Sequence, residues 1–441
     1  MRTITIIITM LLCIGPLPSA ETKDAAKAQN SLRAALDFVL PLDNQGGYYA
    51  GFSPDGKKFW GEWNPVKRDV VTIQPPGTCT VGSVLLDAYL VLEDKTCLDA
   101  ARKSADFLIR AQQPNGGWYY ETWITDDGLI PCQQGAPTGP PNTTTNRGVL
   151  EDGCIRGQME FLLKMSEVTG DPKYFNSARK GADFLITAQY PDGGWPQHYP
   201  PPRRGYSGYY TLNDGVFEDT IQLLLDFHAR TGEQKYLEAA MRGGDWLIAN
   251  QLPEPATGWA QQYDPMLKPA WARQWEPPSA CSRVTAGAVK MLLALHLVTG
   301  DDKYLGPIPA AIAWLKRSQV IPGQWARFYD PQTSRPIYAR GYRISYSPEI
   351  IGWNLTGSYQ GEFGCKTVMD TWGKFLDSGP DALSDSGGLT VEELAERVGR
   401  IISDQNSDGL WLTGEWMYTR DWASNCRLLL DYISINQNPA P

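Results

Sequence analysis

Hydrophobic positions recur along this chain in one helical unit that is used again and again. Ala100–Ile109, Ser177–Ile186 and Ala239–Ile248 each place their apolar residues on a single stripe, the spacing of a half-buried helix. Each stripe runs into a glutamine-containing tail, a turn and a tryptophan, at Trp118, Trp195 and Trp259. A fourth copy passes through Ala313-Trp314-Leu315 to Trp325. The second, third and fourth copies are preceded by another helix that stops at Thr169-Gly170-Asp171, Thr231-Gly232-Glu233 and Thr299-Gly300-Asp301. Glycine there is a helix C-terminal stop, and the next helix begins a few residues on. The unit is therefore helix, tight turn, helix, long aromatic loop. A weaker copy lies at Gly46-Gly47-Tyr48 and a last one at Asp408-Gly409-Leu410-Trp411.

Units of this kind stack side by side and bury a shared core. With every long loop on one side, the expected fold class is all-α, an (α/α) toroid or incomplete barrel of helical hairpins. Its aromatic loops would gather on one face. Alternating strand patterns are sparse, so sheet is expected only as short loop hairpins.

Residues 1–20 fall outside this pattern. Arg2, the apolar run Ile4–Ile14 and the small residues Pro18-Ser19-Ala20 predict an export signal, which places the mature protein in the periplasm or outside the cell. Residues 21–441 are then expected to form one toroidal domain, without a segment long and apolar enough to span a bilayer. The net charge of −9 argues against nucleic acid as a partner, since no basic excess is available to meet phosphates. Beyond Cys13, the seven cysteines 79, 97, 132, 154, 281, 365 and 426 are scattered and contain no C-x-x-C pair, which argues against a zinc cluster. Their odd number leaves at least one thiol unpaired within the chain. Sixteen Trp and twenty-one Tyr serve either as core residues or as stacking platforms for sugars.

Only three histidines are present, and His228 and His296 lie at the ends of equivalent helices, where packing is the expected role. His198 lies in an aromatic loop and is a candidate for ligand contact. Neither G-x-S-x-G nor H-E-x-x-H occurs, so serine-hydrolase and zinc-protease chemistry are poor readings. What the loops do carry is carboxylate and guanidinium. Asp152 and Asp214 each stand at the start of a first helix, where a helix N-cap would explain either one singly. Together they suit a hard cation such as Ca²⁺, or equally the acid and base of an inverting glycosidase. Lys268, Arg273, Arg327, Arg335, Arg340 and Arg343 are interleaved with Trp, Phe and Tyr, a mixture suited to stacking sugars and gripping carboxylates.

At these residues the sequence resembles the family 10 pectate lyases. The likeness is carried by Ala188-Gln189-Tyr190-Pro191-Asp192-Gly193-Gly194-Trp195-Pro196-Gln197-His198-Tyr199-Pro200, Thr211-Leu212-Asn213-Asp214, Lys268-Pro269-Ala270-Trp271-Ala272-Arg273, Glu276-Pro277-Pro278-Ser279 and Trp325-Ala326-Arg327-Phe328-Tyr329. It spans roughly residues 100–345, and carries no function onto 21–95 or 346–441, which are expected to be extra hairpins or loops. The resemblance implies an (α/α) toroid that cleaves polygalacturonate, an acidic polysaccharide, by calcium-assisted β-elimination; the protein is expected to act as a monomer.

By the same resemblance Asp152 and Asp214 fall on calcium and substrate-site aspartates, and Arg273 on the catalytic base. Arg327 falls on an arginine that binds a substrate carboxylate, with Arg340 or Arg343 as another. Lys268, Asn213, Trp195 and His198 complete the implied substrate contacts, Trp195 being open to a structural role. Two departures bear on the substrate: Gly153 stands where the family has Asn, and Ala280-Cys281-Ser282-Arg283 replaces a serine-rich segment. Another polyuronide, a glycoside hydrolase using Asp152 and Asp214, and a carbohydrate-binding protein without catalysis are the alternatives.

Overall fold

A computed structural model describes residues 21–132, 146–352, 357–380 and 389–437; the expected export signal lies outside the described residues. The repeat is realised as pairs of helices. The first helix of each pair lines the inside of a ring: α2 (Thr78–Leu92), α4 (Cys154–Thr169), α6 (Val216–Thr231), α8 (Ser282–Thr299), α10 (Cys365–Ser378) and α12 (Thr419–Gln437). Outside them stand α1 (Glu21–Val39), α3 (Lys95–Ala111), α5 (Pro172–Ala188), α7 (Gln234–Ala249), α9 (Ile308–Arg317) and α11 (Val391–Asp404). Inner helices pack in the order α12, α2, α4, α6, α8, α10, so the outer partner of α12 is the first helix of the chain, α1. The described residues of 21–95 and 346–437 thus supply units of the same ring. None of the described helices is long and apolar enough to cross a membrane, and all seven cysteines are free, buried thiols.

Each tight turn ends its inner helix as the sequence predicts. Gly170, Gly232 and Gly300 cap α4, α6 and α8 at φ of 69°, 70° and 69°, a left-handed conformation that costs glycine no Cβ clash. His228 and His296 sit at these ends, each with Nδ1 against a turn carbonyl (3.1 Å to Glu233 and 3.3 Å to Asp301), far along the helix from the loops.

The loop tryptophans are structural. Trp118, Trp195, Trp259 and Trp325 are wholly buried and Trp411 nearly so. Their indole Nε1 groups donate to Leu108, Leu185, Leu247, Leu315 and Ile401 at 2.7–2.9 Å, satisfying carbonyls in the last turns of the outer helices that would otherwise be left over. Trp195, expected as a candidate sugar contact, is therefore corrected to a core residue: it is 0% exposed and its one polar atom is used.

A second device joins each unit to the next. Gln112, Gln189, Gln251 and Gln405 each donate through Nε2 to a carbonyl of their own loop and to one on the following outer segment, at Ser177, Ala239, Pro307 and Ser31. The last of these links α11 to α1. Short antiparallel strand pairs tie neighbouring loops together in the same succession: Gly51–Phe52 with Met417–Tyr418, Val70–Thr72 with Glu121–Thr125, Gly148–Val149 with His198–Tyr199, Tyr210–Thr211 with Gln262–Tyr263, and Ala280–Cys281 with Phe328–Tyr329. The chain ends are thereby stitched like any other junction.

The turn glycines Gly46, Gly116, Gly193 and Gly409 press on neighbouring outer helices, and a methyl group on Gly193 would lie 2.2 Å from the Arg242 carbonyl oxygen. Gly193 also sits at φ +105°. Gly193→Ala is expected to destabilise the protein by about 2 kcal/mol or more, read as a lower urea midpoint at unchanged m-value. An unchanged midpoint would mean that this contact does not hold neighbouring units in place.

Candidate active site

The loop face is organised by two strained turns. Asp152 (φ 57°) and Asp214 (φ 50°) are left-handed, and each is followed by a left-handed glycine, Gly153 or Gly215, that enters α4 or α6. Left-handed backbone costs a residue with a Cβ roughly 1 kcal/mol, and Asp is among the side chains that tolerate it best. Neither aspartate is a helix N-cap, because the glycine holds that position and no side chain caps the helix. The turns are joined directly, Asp152 N donating to the Asp214 carbonyl at 2.9 Å. Phe363-Gly364 repeats the conformation before α10, so the turn belongs to the fold while the carboxylates belong to two units of it.

Arg273 reaches over these turns. Its Nη1 lies 3.2 Å from Glu276 Oε1 and 3.5 Å from Asp214 Oδ2, and its Nη2 lies 3.8 Å from Glu151 Oε2. Glu276, 2% exposed, stands between two guanidiniums, since Arg327 Nη2 is 3.7 Å from the same oxygen. Arg327 donates to Asn213 Oδ1 at 3.0 Å and Gln261 Oε1 at 2.9 Å, while its Nε is buried without a hydrogen-bond partner among the described residues. Asn213 completes the link by donating to Asp214. Behind Arg273, Glu151 is 3% exposed and accepts from Tyr120 Oη and Gln197 Nε2. His198 Nε2 meets Tyr120 Oη at 2.7 Å. With the phenol proton given to Glu151, that contact needs the His198 proton on Nε2.

Carboxyls outnumber cations in this cluster. Glu62, Glu151, Asp152, Asp214 and Glu276 face Arg273 and Arg327. Burial, then Glu151, Asp214 and Glu62, pushes Asp152 up to about 8. Burial is also the main cause for Glu151, raised to about 7 against the pull of the Tyr120 hydrogen bond, and for Glu62, raised to about 7. Burial and Arg147 lower His198 to about 4, so its ring is neutral at physiological pH. Burial works against the charge on Arg273, but Glu276, Asp214, Tyr206 and Glu151 outweigh it and hold the guanidinium above its ordinary value.

This donor set fits a hard cation better than a soft one. It is all oxygen, the Asp152 carboxylate makes no hydrogen bond or ion pair among the described residues, and Glu62 Oε2 is buried without a hydrogen-bond partner. No three His, Cys, Asp or Glu side chains among the described residues form a ready-made cage. A cation held by Asp152 and Asp214 would therefore draw its other ligands from water and substrate.

The structure thus brings Asp152, Asp214, Asn213, Arg273, Arg327 and His198 into one cluster, with His198 in a supporting row. Arg340 and Arg343 lie beside it, opposite one another on the hairpin Pro336–Arg340 / Arg343–Ser345. That hairpin's turn docks on the Arg273 loop through Tyr342 N to Gln274 O (2.9 Å) and a Tyr342–Trp271 ring contact at 5.4 Å. Lys268 is exposed on the same loop. Sequence reasoning assigned no role to Tyr120, Gln197, Tyr206, Gln261 or Glu62. Glu276 enters only as part of a matched motif, and Glu151 stands beside Asp152 in sequence. Adjacency to the aspartate and to the matched motifs could have flagged Glu151, Gln197 and Glu276; nothing local marks Glu62.

Residues 133–324 match the description pectic acid lyase. That stretch is similar to the pectic acid lyase family. Among solved structures the chain is similar to a family 10 polysaccharide lyase from Cellvibrio cellulosa, at 23% identity over 61% of this chain and 90% of that one, TM-score 0.48. A mutant of a family 10 polysaccharide lyase from the same organism, in complex with trigalacturonic acid, matches at 23% identity over 66% and 98%, TM-score 0.49. A GH76 alpha-mannanase from Bacteroides thetaiotaomicron matches at 12% identity over 96% and 99%, TM-score 0.49.

The raised carboxyls set a pH dependence of stability. Glu62, Glu151 and Asp152 hold protons in the folded state that the unfolded chain has already lost, so stability falls as pH climbs toward about 8. His198 acts in the opposite sense, but only below its ordinary 6.5, above which it is neutral in both states. In chelator, the melting temperature should fall between pH 6.5 and 8, and Asp152→Asn should flatten the slope. A melting temperature that rises across this window would show that these acids ionise without penalty.

Proposed function

We propose that the protein is an exported lyase that cuts pectate or a closely related polyuronide by β-elimination, with Arg273 as the base. The observation that carries this reading is the convergence of Arg273 and Arg327, bridged by Glu276, upon the Asp152 and Asp214 turns, all but Arg327 lying within the stretch similar to pectic acid lyase. The coarser assignment, a polysaccharide-cleaving enzyme of lyase or related glycosidase type, rests on that family match alone.

In the proposed reaction Arg327, whose Nε has no protein partner, grips a uronate carboxylate in its guanidinium fork. Arg340 and Arg343 are suited to hold carboxylates of neighbouring sugars. Binding the carboxylate to cations acidifies the proton on the adjacent ring carbon, which passes to Arg273. The electron pair left behind forms the ring double bond as the glycosidic carbon–oxygen bond breaks, and the departing oxygen takes a proton from water. Calcium held by Asp152 and Asp214 would neutralise carboxylate charge on both protein and substrate. That neutralisation matters because the surrounding acids keep Arg273 protonated. Proton removal by Arg273 is therefore expected to need alkaline pH.

The raised Glu151 and Asp152 favour a second reading, a hydrolase in which a protonated carboxyl donates to the leaving oxygen. One assay separates the two. With polygalacturonate at alkaline pH, the lyase gives rising ultraviolet absorbance from a double bond conjugated to a carboxylate, and chelator abolishes it. Arg273→Ala should lower kcat by roughly 10²–10⁴-fold. New reducing ends without absorbance would establish hydrolysis instead, and a flat pH–rate profile would remove Arg273 from the role of base.

A further inference from the structure

The exposed face of α12 carries Arg420, Ser424 and Arg427 at successive turns, on one side of the helix. This face borders a cavity of about 460 Å³ whose other walls include Arg397 of α11, Thr80 of α2 and Pro75. Three guanidiniums in one cavity are unusual in a chain of net charge −9. On other inner helices several basic side chains are neutralised: Arg156 by Glu160 and Asp219 at 2.7 and 2.8 Å, Lys164 by Asp87, and Lys290 by Glu218 at 2.6 Å. Arg397 and Arg427 make no ion pair or hydrogen bond among the described residues, and Arg420 meets only the adjacent Asp421 at 3.3 Å.

The cavity adjoins the cluster described above. Pro75 lies 3.6 Å from the point where a side chain on Gly153 would begin, and Gly153 follows Asp152. A single proline thus separates the basic cavity from the Asp152 turn. The charges are also spread out rather than convergent, for Arg420 and Arg427 are about 10 Å apart along the helix axis at the usual rise. A compact anion such as phosphate can satisfy one such group; a chain bearing a carboxylate on every sugar can satisfy them in sequence.

We propose that Arg397, Arg420 and Arg427 form a distal subsite that holds carboxylates of an acidic polysaccharide beyond the sugars being cut. This rests on the polyuronide reading of the same loop face. It lies outside the family-matched residues 133–324 and gives the C-terminal hairpin a role in chain-length preference.

The test compares the full-length protein with Arg420→Ala/Arg427→Ala and with Arg427→Glu, all exposed positions, with thermal melting as the check on folding. KM for long polygalacturonate should rise about tenfold in the double variant, as expected for two partly exposed ion pairs. kcat, and KM for short oligogalacturonates, should stay within about twofold. Retardation of each protein in gels containing polygalacturonate provides a readout independent of turnover. Loss of retardation in the variants supports the subsite even if no lyase product forms, an outcome that would overturn only the β-elimination reading. Lyase activity with unchanged KM and unchanged retardation overturns the subsite and leaves the catalytic reading intact. Neither product nor retardation from the unaltered protein overturns both.

Discussion

The indole-to-carbonyl bond that ends five of the six outer helices, α3 to α11, is the contact on which the rest of the molecule depends. An outer helix leaves its last carbonyls without internal partners, and the loop that follows must return across the ring to the start of the next inner helix. A buried tryptophan on that loop answers both needs, filling the space beneath the helix end and donating to a leftover carbonyl. Once it is seated, the glutamine beside it reaches the next outer segment, and the loop strands pair with those of their neighbours. Removing one such ring from a core costs roughly 3–5 kcal/mol. Here the cost would extend to the position of the loop, and through it to the cluster it supports.

That cluster concentrates what the rest of the fold avoids. Two aspartates occupy left-handed backbone, and three carboxyls are buried closely enough for each to resist ionisation. The scaffold tolerates this because the turns are bonded to each other and each leads into a helix packed on both sides. Opposite charge comes from two arginines held by glutamate, asparagine and glutamine, and their fork geometry is set before any ligand arrives. Such an arrangement is poised to gain from a cation or an acidic ligand that relieves the crowding of like charges.

Much of this is legible in the amino-acid order. The stripes at helical spacing, the Thr-Gly stops and the recurring turns that lead to a Trp define the hairpins, because each rests on contacts within a few residues. Asp152, Asp214, Arg273 and Arg327 could be singled out because they stand in loops amid aromatic motifs. Trp195 shows the limit of that reasoning: loop position and residue type fit a sugar platform equally well, and only its complete burial decides between them. The aspartates show the converse, since position before a helix fits an N-cap, and only the backbone dihedrals show that glycine holds that place.

Glu62 marks where local sequence ceases to inform. It lies in a short-strand loop without a motif, ninety residues before Asp152, and joins the cluster because α1 packs against α12 and draws residues 40–77 around the ring. The sequence by itself determined the repeating unit, the side of the ring on which the loops gather, and the residue types available there, all consequences of periodicity and short-range turn chemistry. The tertiary structure alone decided which unit follows which across the chain ends, which tryptophans are core, and which carboxyls share a site. Those outcomes depend on packing between segments hundreds of residues apart, where burial and charge act through space and leave no trace in spacing.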